Sequence, residues 1–279
     1  MSGYEDYTRV SALYDETRQP IGVEIILGCL ASGPRPLPDV VLLDAGCGTG
    51  NYSRALISRV ARIEAVDINA GMLDRARTKF RAEASAGLIH FHQAPIGDLP
   101  LAEESVDGVM VNQVLHHLND DPAAGWPTIR GVITELARVL RPGGVLMINI
   151  CSHEQIRHGW WYMALIPEAM ESMRRRHVPI DALQGMMSEC RLSHAGYFVP
   201  LDGVMQGRRY FDGRGPLDAK WRAGDSIWAM VTEDRLKTVQ AKIRELDEAG
   251  ALEEFVRDND ARRPNIGQFT FVCARKELV

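Results

Sequence analysis

Apolar and polar positions along this chain change period in a regular way. Val40-Val41-Leu42-Leu43-Asp44 is a short, continuous apolar run ending in an acid, as a strand buried on both faces does. Residues 51–60 then carry helical spacing, Ile63-Glu64-Ala65-Val66-Asp67 repeats the strand pattern, and residues 72–82 are helical again. Ile89–Gln93 and Val106–Asn112 are expected to be the third and fourth strands. Residues 129–140 place apolar side chains at helical spacing, Arg141-Pro142-Gly143-Gly144 stops that helix, and residues 145–150 form a fifth strand. Strands alternating with helices predict βαβ units, hence a doubly wound α/β fold with a parallel sheet and helices on both faces.

The flanks read differently. Residues 1–30 mix Tyr14, Ile21, Ile25 and Ile26 with polar positions and predict helix broken at Pro20, followed by a proline-rich loop over 31–38. After Cys151 the strand–helix rhythm fades: residues 153–178 are aromatic and basic, 181–191 helical, 197–205 a sixth strand, 207–224 a loop, 232–258 a helical pair, and 268–273 a final alternating strand. The expected organisation is an N-terminal helical cap segment over 1–37, a core over 38–152, and cap insertions plus the last two strands over 153–279.

At 279 residues, 46% hydrophobic and 25% charged, the chain suits one large α/β domain with an added cap. A net charge of −5 supplies no broad basic field, so nucleic acid is not expected as a partner. No stretch approaches the roughly 18 apolar residues of a membrane span. The N-terminal residues are polar and acidic, unlike a secretory signal. Cys29, Cys47, Cys151, Cys190 and Cys273 are scattered without a CxxC pair, so neither a disulfide framework nor a metal site is expected, and the thiols suit a reducing cytoplasm. No motif speaks to oligomeric state.

The chemistry concentrates in Asp44-Ala45-Gly46-Cys47-Gly48-Thr49-Gly50, between a strand and a helix. Glycines there let backbone turn tightly and approach a ligand over the carboxyl end of the strand. The spacing is G-x-G-x-G, not the G-x-G-x-x-G of dinucleotide binders. Asp67 closes the next strand about 20 residues on, where an acid can accept from ribose hydroxyls. The bland alternatives are glycines used only for packing and an Asp used only as a helix cap.

With Asp98-Leu99-Pro100, residues 112–118 and Leu140-Arg141-Pro142-Gly143-Gly144, these segments resemble the class I S-adenosylmethionine (SAM)-dependent methyltransferases, over residues 38–152. The resemblance implies a Rossmann-like sheet of seven strands, the last antiparallel and inserted. It implies SAM as cofactor, leaving as S-adenosylhomocysteine, with Gly46, Cys47, Gly48 and Gly50 under the methionine part and Asp44 receiving its ammonium directly or through water. Asp67 would bind the ribose, Ile68 and Met72 would pack on adenine, Ile96 would meet its edge, and Asn112 would face the methionine backbone. Where such families often carry an acid, this chain has Pro95, so the adenine amino contact falls to Asp98 or to backbone.

The acceptor is a small molecule on this reading. Its binding side is expected from Gly159-Trp160-Trp161-Tyr162 through Glu168, from Arg174, from Arg208-Arg209-Tyr210 and from Trp228. Aromatic faces line apolar pockets or hold cations, and arginines grip carboxylate or phosphate; the alternatives are cap packing and solvated charge. Base candidates are Glu168, His116, His117 and Tyr14, with His153 and His158 behind them. An apolar-aromatic pocket with one acid and arginines suits an amphiphilic anion such as a prenyl diphosphate methylated at carbon, the one acceptor for which Mg would enter. Oxygen or nitrogen methylation of another metabolite is the alternative, then a nicotinamide-dependent oxidoreductase, or a SAM-fold binding protein without turnover.

Overall fold

A computed structural model describes residues 19–278. Seven strands form one sheet: β1 (Val41–Ala45), β2 (Arg62–Asp67), β3 (Ile89–Gln93), β4 (Val106–Asn112), β5 (Leu140–Ile150), β6 (Leu192–Phe198) and β7 (Thr270–Lys276), in the order β3-β2-β1-β4-β5-β7-β6. The pairs among β1 to β5 are parallel, while β7 runs antiparallel to both β5 and β6. The order reverses at β1, between β2 and β4, and α/β sheets open a ligand crevice at such a switch point.

Period-two alternation builds the two faces. Leu42, Met110, Met147 and Phe271 point into one apolar layer, and their chain neighbours Leu43, Val109, Leu146 and Val272 into the other. The first layer is covered by α1 (Val23–Ala31) and α2 (Asn51–Leu56), with α3 (Ala70–Lys79) after β2; the second by α4 (Pro127–Val139). Two short cap helices follow, α5 (His153–His158) and α6 (Pro167–Arg176); α7 (Ile180–Glu189) joins α4 on the sheet, and α8 (Glu233–Glu248) and α9 (Leu252–Asp260) close the cap. A third apolar layer, from Cys151 to Phe269, binds the cap together through Trp161, Tyr162, Tyr210 and Trp221.

Several expectations shift. The segment 23–31 is not a cap over the substrate side: Ile26, Cys29 and Leu30, spaced three and four apart, bury one stripe against the sheet. It sits so close that a Cβ on Gly108 would stand 2.3 Å from Leu30. The rest of the predicted N-terminal helix lies outside the described residues. The sixth strand is Leu192–Phe198, not 197–205, because Pro200 has no N–H for a ladder and Leu192 supplies the inward anchor. Helix α2 ends at Leu56, and the 72–82 helix breaks at Phe80 into Ala70–Lys79 and Arg81–Ser85. Arg141 to Gly144 does end a helix, yet lies inside β5, where pairing with β4 slips register.

Candidate active site

The turn after β1 is held by its neighbour strand. Gly46 and Cys47 N–H both donate to the Val66 carbonyl, at 2.8 and 2.9 Å, and Gly48 N–H donates to Asp67 Oδ2 at 2.8 Å. Gly46, Gly48 and Gly50 have φ of 80°, 55° and 81°, the left-handed region that glycine enters without penalty. A Cβ on Gly50 would stand 2.7 Å from the Phe80 ring, whereas one on Gly48 would meet nothing, so the loop presents bare backbone to open space there. Gly50→Ala is therefore expected to lower stability by about 1–3 kcal/mol through strain and overpacking, read as a fall in Tm of several degrees.

Asp67 keeps one oxygen on Gly48 and the other on Asn69 N–H at 2.8 Å. Each carboxylate oxygen has a second lone pair, so the group is aimed yet still able to accept two hydroxyls. Burial raises its pKa, against the pull of those backbone N–H donors. Asp44 is 2% exposed and accepts from Ser53 Oγ at 2.7 Å; burial pushes its pKa up to about 7. Burial also raises the Cys47 thiol, leaving it an uncharged part of the wall.

A cleft opens over this turn and brings Asp44, Gly46, Cys47, Gly48 and Asn112 to one surface. Asn112 Nδ2 is buried and has no hydrogen-bond partner among the described residues. A carboxylate, an unspent amide donor and an open glycine backbone fit an amino-acid-bearing ligand: an ammonium to Asp44, a carboxylate or carbonyl to Asn112. Of the other expected contacts, Ile68 is 47% exposed and free to floor a ring, while Met72 and Ile96 are buried, Ile96 within the sheet-face core. Asp98 is exposed, with its N–H on the Pro95 carbonyl.

Sequence reasoning missed the wall opposite. Gln113 sits at φ 55°, an uncommon backbone state for a side-chain-bearing residue. Its N–H donates to Asn149 O at 2.9 Å and its Nε2 to Asn149 Oδ1 at 3.0 Å. Asn149 Nδ2 donates to Tyr52 Oη at 3.2 Å, and Tyr52 in turn holds the Ile21 backbone by both N–H and carbonyl. That network ties Ile21, which lines the cleft with Gln19 and Pro20, to the ends of β4 and β5. Asn149 and Tyr52 carry no motif spacing: Asn149 is placed by the parallel pairing of β5 with β4, and Tyr52 by the first turn of α2.

Beyond Gln113 and Met205, which border both spaces, lies a second chamber. Its apolar wall is Ile156, Trp160, Met163, Met173 and Ile227; its polar groups include His116, His177, Asp225 and Ser226. Asp225 is buried and accepts from Tyr162 Oη and, at 3.1 Å, from Ile227 N–H. His116 and Trp160 were expected to face the acceptor and do line this chamber; His117 lies with its ring 4.0 Å from that of His116. Tyr14 lies outside the described residues.

The remaining acceptor residues are elsewhere, and the reasons are physical. Glu168 opens α6 at the surface, its side chain 73% exposed and 3.6 Å from Arg235, so it lines neither space. Leaving a carboxylate in water avoids the desolvation that the apolar run around it would impose. Glu168→Gln is accordingly expected to change stability by less than about 0.5 kcal/mol and methyl transfer by no more than about two-fold, checked by thermal melts and label transfer. Trp161 and Tyr210 are wholly buried in the cap layer, where Trp161 N–H and Nε1 donate to Tyr210 Oη and O at 3.1 and 2.7 Å. Trp228 packs 5.6 Å from the Tyr162 ring in that layer. Arg174 is spent on Glu171 and on His153 Nδ1 at 3.2 Å, and Arg208 and Arg209 are exposed.

Comparison with known proteins agrees with this fold. Residues 43–148 match the methyltransferase domain family. An uncharacterized methyltransferase of Mycobacterium tuberculosis is 32% identical over 145 residues, spanning 52% of this chain and 68% of the relative. Among solved structures, a protein of Anabaena variabilis described as a methyltransferase from an antibiotic biosynthesis pathway aligns with a TM-score of 0.70 at 19% identity, over 92% of this chain and 98% of the other. The geranyl diphosphate C-methyltransferase of Streptomyces coelicolor aligns with a TM-score of 0.54 at 15% identity, over 91% and 74%. The chain belongs to the class I SAM-dependent methyltransferases, and it is an enzyme of that family.

Proposed function

We propose that the protein methylates an oxygen or nitrogen of a compact, largely apolar small molecule bound in the second chamber. The observation that carries this is the chamber's lining: methionine, isoleucine and tryptophan side chains with His116, His177, Asp225 and Ser226, and no arginine or lysine among the described lining residues. A diphosphate would need cationic partners, and the arginines expected to supply them are exposed or already paired. A prenyl diphosphate with Mg is thus the second reading, supported by the shared fold of the Streptomyces enzyme.

In the first space, Asp67 would accept from the ribose, with Ile68 exposed beside it; Asp44 would take the ammonium, Asn112 the methionine backbone, and the Gly46–Gly50 backbone would pass beneath. The bound SAM supplies an electrophilic methyl on a sulfonium. The chain's own part is alignment and water exclusion: the Gln113–Asn149–Tyr52 network braces the boundary between the spaces, and Trp160, Met173 and Met205 wall the acceptor from solvent. Incubation with methyl-labelled SAM and a panel of phenols, amines and geranyl diphosphate plus Mg tests the proposal. Label on a phenol oxygen or an amine nitrogen is expected; label only on a prenyl carbon overturns it.

A further inference from the structure

We infer that His177, whose ring borders the second chamber, accepts the proton of the acceptor's hydroxyl or amine at Nε2; this rests on the oxygen- or nitrogen-acceptor reading above. His177 follows the last turn of α6, where histidine can bond the final carbonyls of a helix. Its Nδ1 lies 3.0 Å from the Met173 carbonyl oxygen. A carbonyl only accepts, so Nδ1 carries the hydrogen and Nε2 is the bare nitrogen.

That nitrogen belongs to a side chain only 4% exposed, and it has no partner among the described residues, although the ring borders the chamber. A buried acceptor left unmade is costly, and an incoming O–H or N–H relieves that cost. The ring is also fixed in place. His116 stacks on it at 4.5 Å and 10°, and the His177 carbonyl accepts from His153 Nε2 at 2.8 Å. The same burial pulls the imidazole down to about 4, so near neutral pH it is an uncharged acceptor.

The transfer balances. The acceptor oxygen or nitrogen bonds to the methyl carbon, the carbon–sulfur bond breaks with its electrons going to sulfur, and the proton passes to Nε2. One positive charge vanishes at the sulfonium as one appears on the imidazole, so the two spaces together gain no net charge, and the Asp225 carboxylate shares the wall of the imidazole's chamber. A weakly basic imidazole suffices because the proton leaves as the donor atom is alkylated.

The test uses the full chain saturated with S-adenosylhomocysteine, and 4-nitrophenol as probe. Long-range proton–nitrogen NMR of the histidine-labelled protein is expected to show His177 protonated at Nδ1, with its Nε2 signal moving on addition of 4-nitrophenol. His177→Leu is expected to weaken nitrophenol binding at least ten-fold while leaving S-adenosylhomocysteine affinity within two-fold. An Nε2-protonated ring, an unmoved Nε2 signal, absence of nitrophenol binding, or equal binding by the variant would each overturn the assignment; the NMR result does not depend on the variant folding. If label reaches oxygen or nitrogen while these fail, only the proton route falls. If label reaches carbon alone, the reading of the acceptor falls first.

Discussion

Asp67→Ala is expected to weaken S-adenosylhomocysteine binding by about 1–3 kcal/mol, roughly five- to 150-fold, measured by calorimetry at fixed pH. Two losses contribute. The carboxylate is the acceptor assigned to the ribose hydroxyls. It also holds Gly48 N–H and Asn69 N–H, so its removal frees the glycine turn at its centre and the backbone just ahead of α3. Asp67→Asn separates these effects: it keeps one acceptor for the turn but replaces the other by an amide donor, so loop order should survive better than affinity. An unchanged dissociation constant in Asp67→Ala would remove the acid from the site.

Asp44→Asn should move stability and binding in opposite directions. The folded-state pKa of about 7 stands above the ordinary aspartate value of about 3.9. Between those values the folded protein keeps a proton that the unfolded chain has released. The contribution of Asp44 to stability is therefore fully present below about pH 4 and is lost as pH rises through about 7. An asparagine, which can still accept from Ser53 Oγ, carries no such loss. The variant is expected to be more stable than the parent by about 1–3 kcal/mol at pH 8, with the gain vanishing near pH 4, in denaturant titrations at several pH values. It should also bind S-adenosylhomocysteine more weakly, because the ammonium loses its counter-charge. A variant that is no more stable at pH 8 would mean that Asp44 is already well compensated in the free protein.

How much of this was legible beforehand differs from residue to residue. Strands β1, β2, β4 and β5 were readable because both faces are largely buried, which favours apolar runs such as Val41-Leu42-Leu43. The glycine turn was readable because three positive φ angles leave few other residue types. Strand β6 was misplaced because an edge strand with one buried anchor, Leu192, has little periodicity to read. The acceptor side was the least legible. Tandem aromatics at 160–162 divide their work: Trp160 lines the chamber while Trp161 and Tyr162 are internal cap packing. No pattern in sequence distinguishes those neighbours; the difference is which way a short helical turn faces.

The acids show the same limit. Glu168 drew attention as an acid in an apolar run, but a residue in the first turn of a helix can rotate outward to water and to Arg235. Asp225 is the buried acid, fixed by capping Ile227 N–H and by Tyr162. Its only sequence signal is a capping acid two residues before the apolar Ile227-Trp228, a pattern common at helix starts. Gln113, Asn149 and His177 became visible only once β4, β5 and the end of α6 were adjacent in space.

The crystal structure of the complex with S-adenosylhomocysteine tests the central assignment most directly. Both ribose hydroxyls should lie within hydrogen-bond distance of Asp67, the amino group toward Asp44, and the amino-acid end beside Asn112 Nδ2 over an open Gly48. A nucleoside bound away from the turn after β1, or a turn closed by side chains with Asp67 facing only its own backbone, would contradict the account.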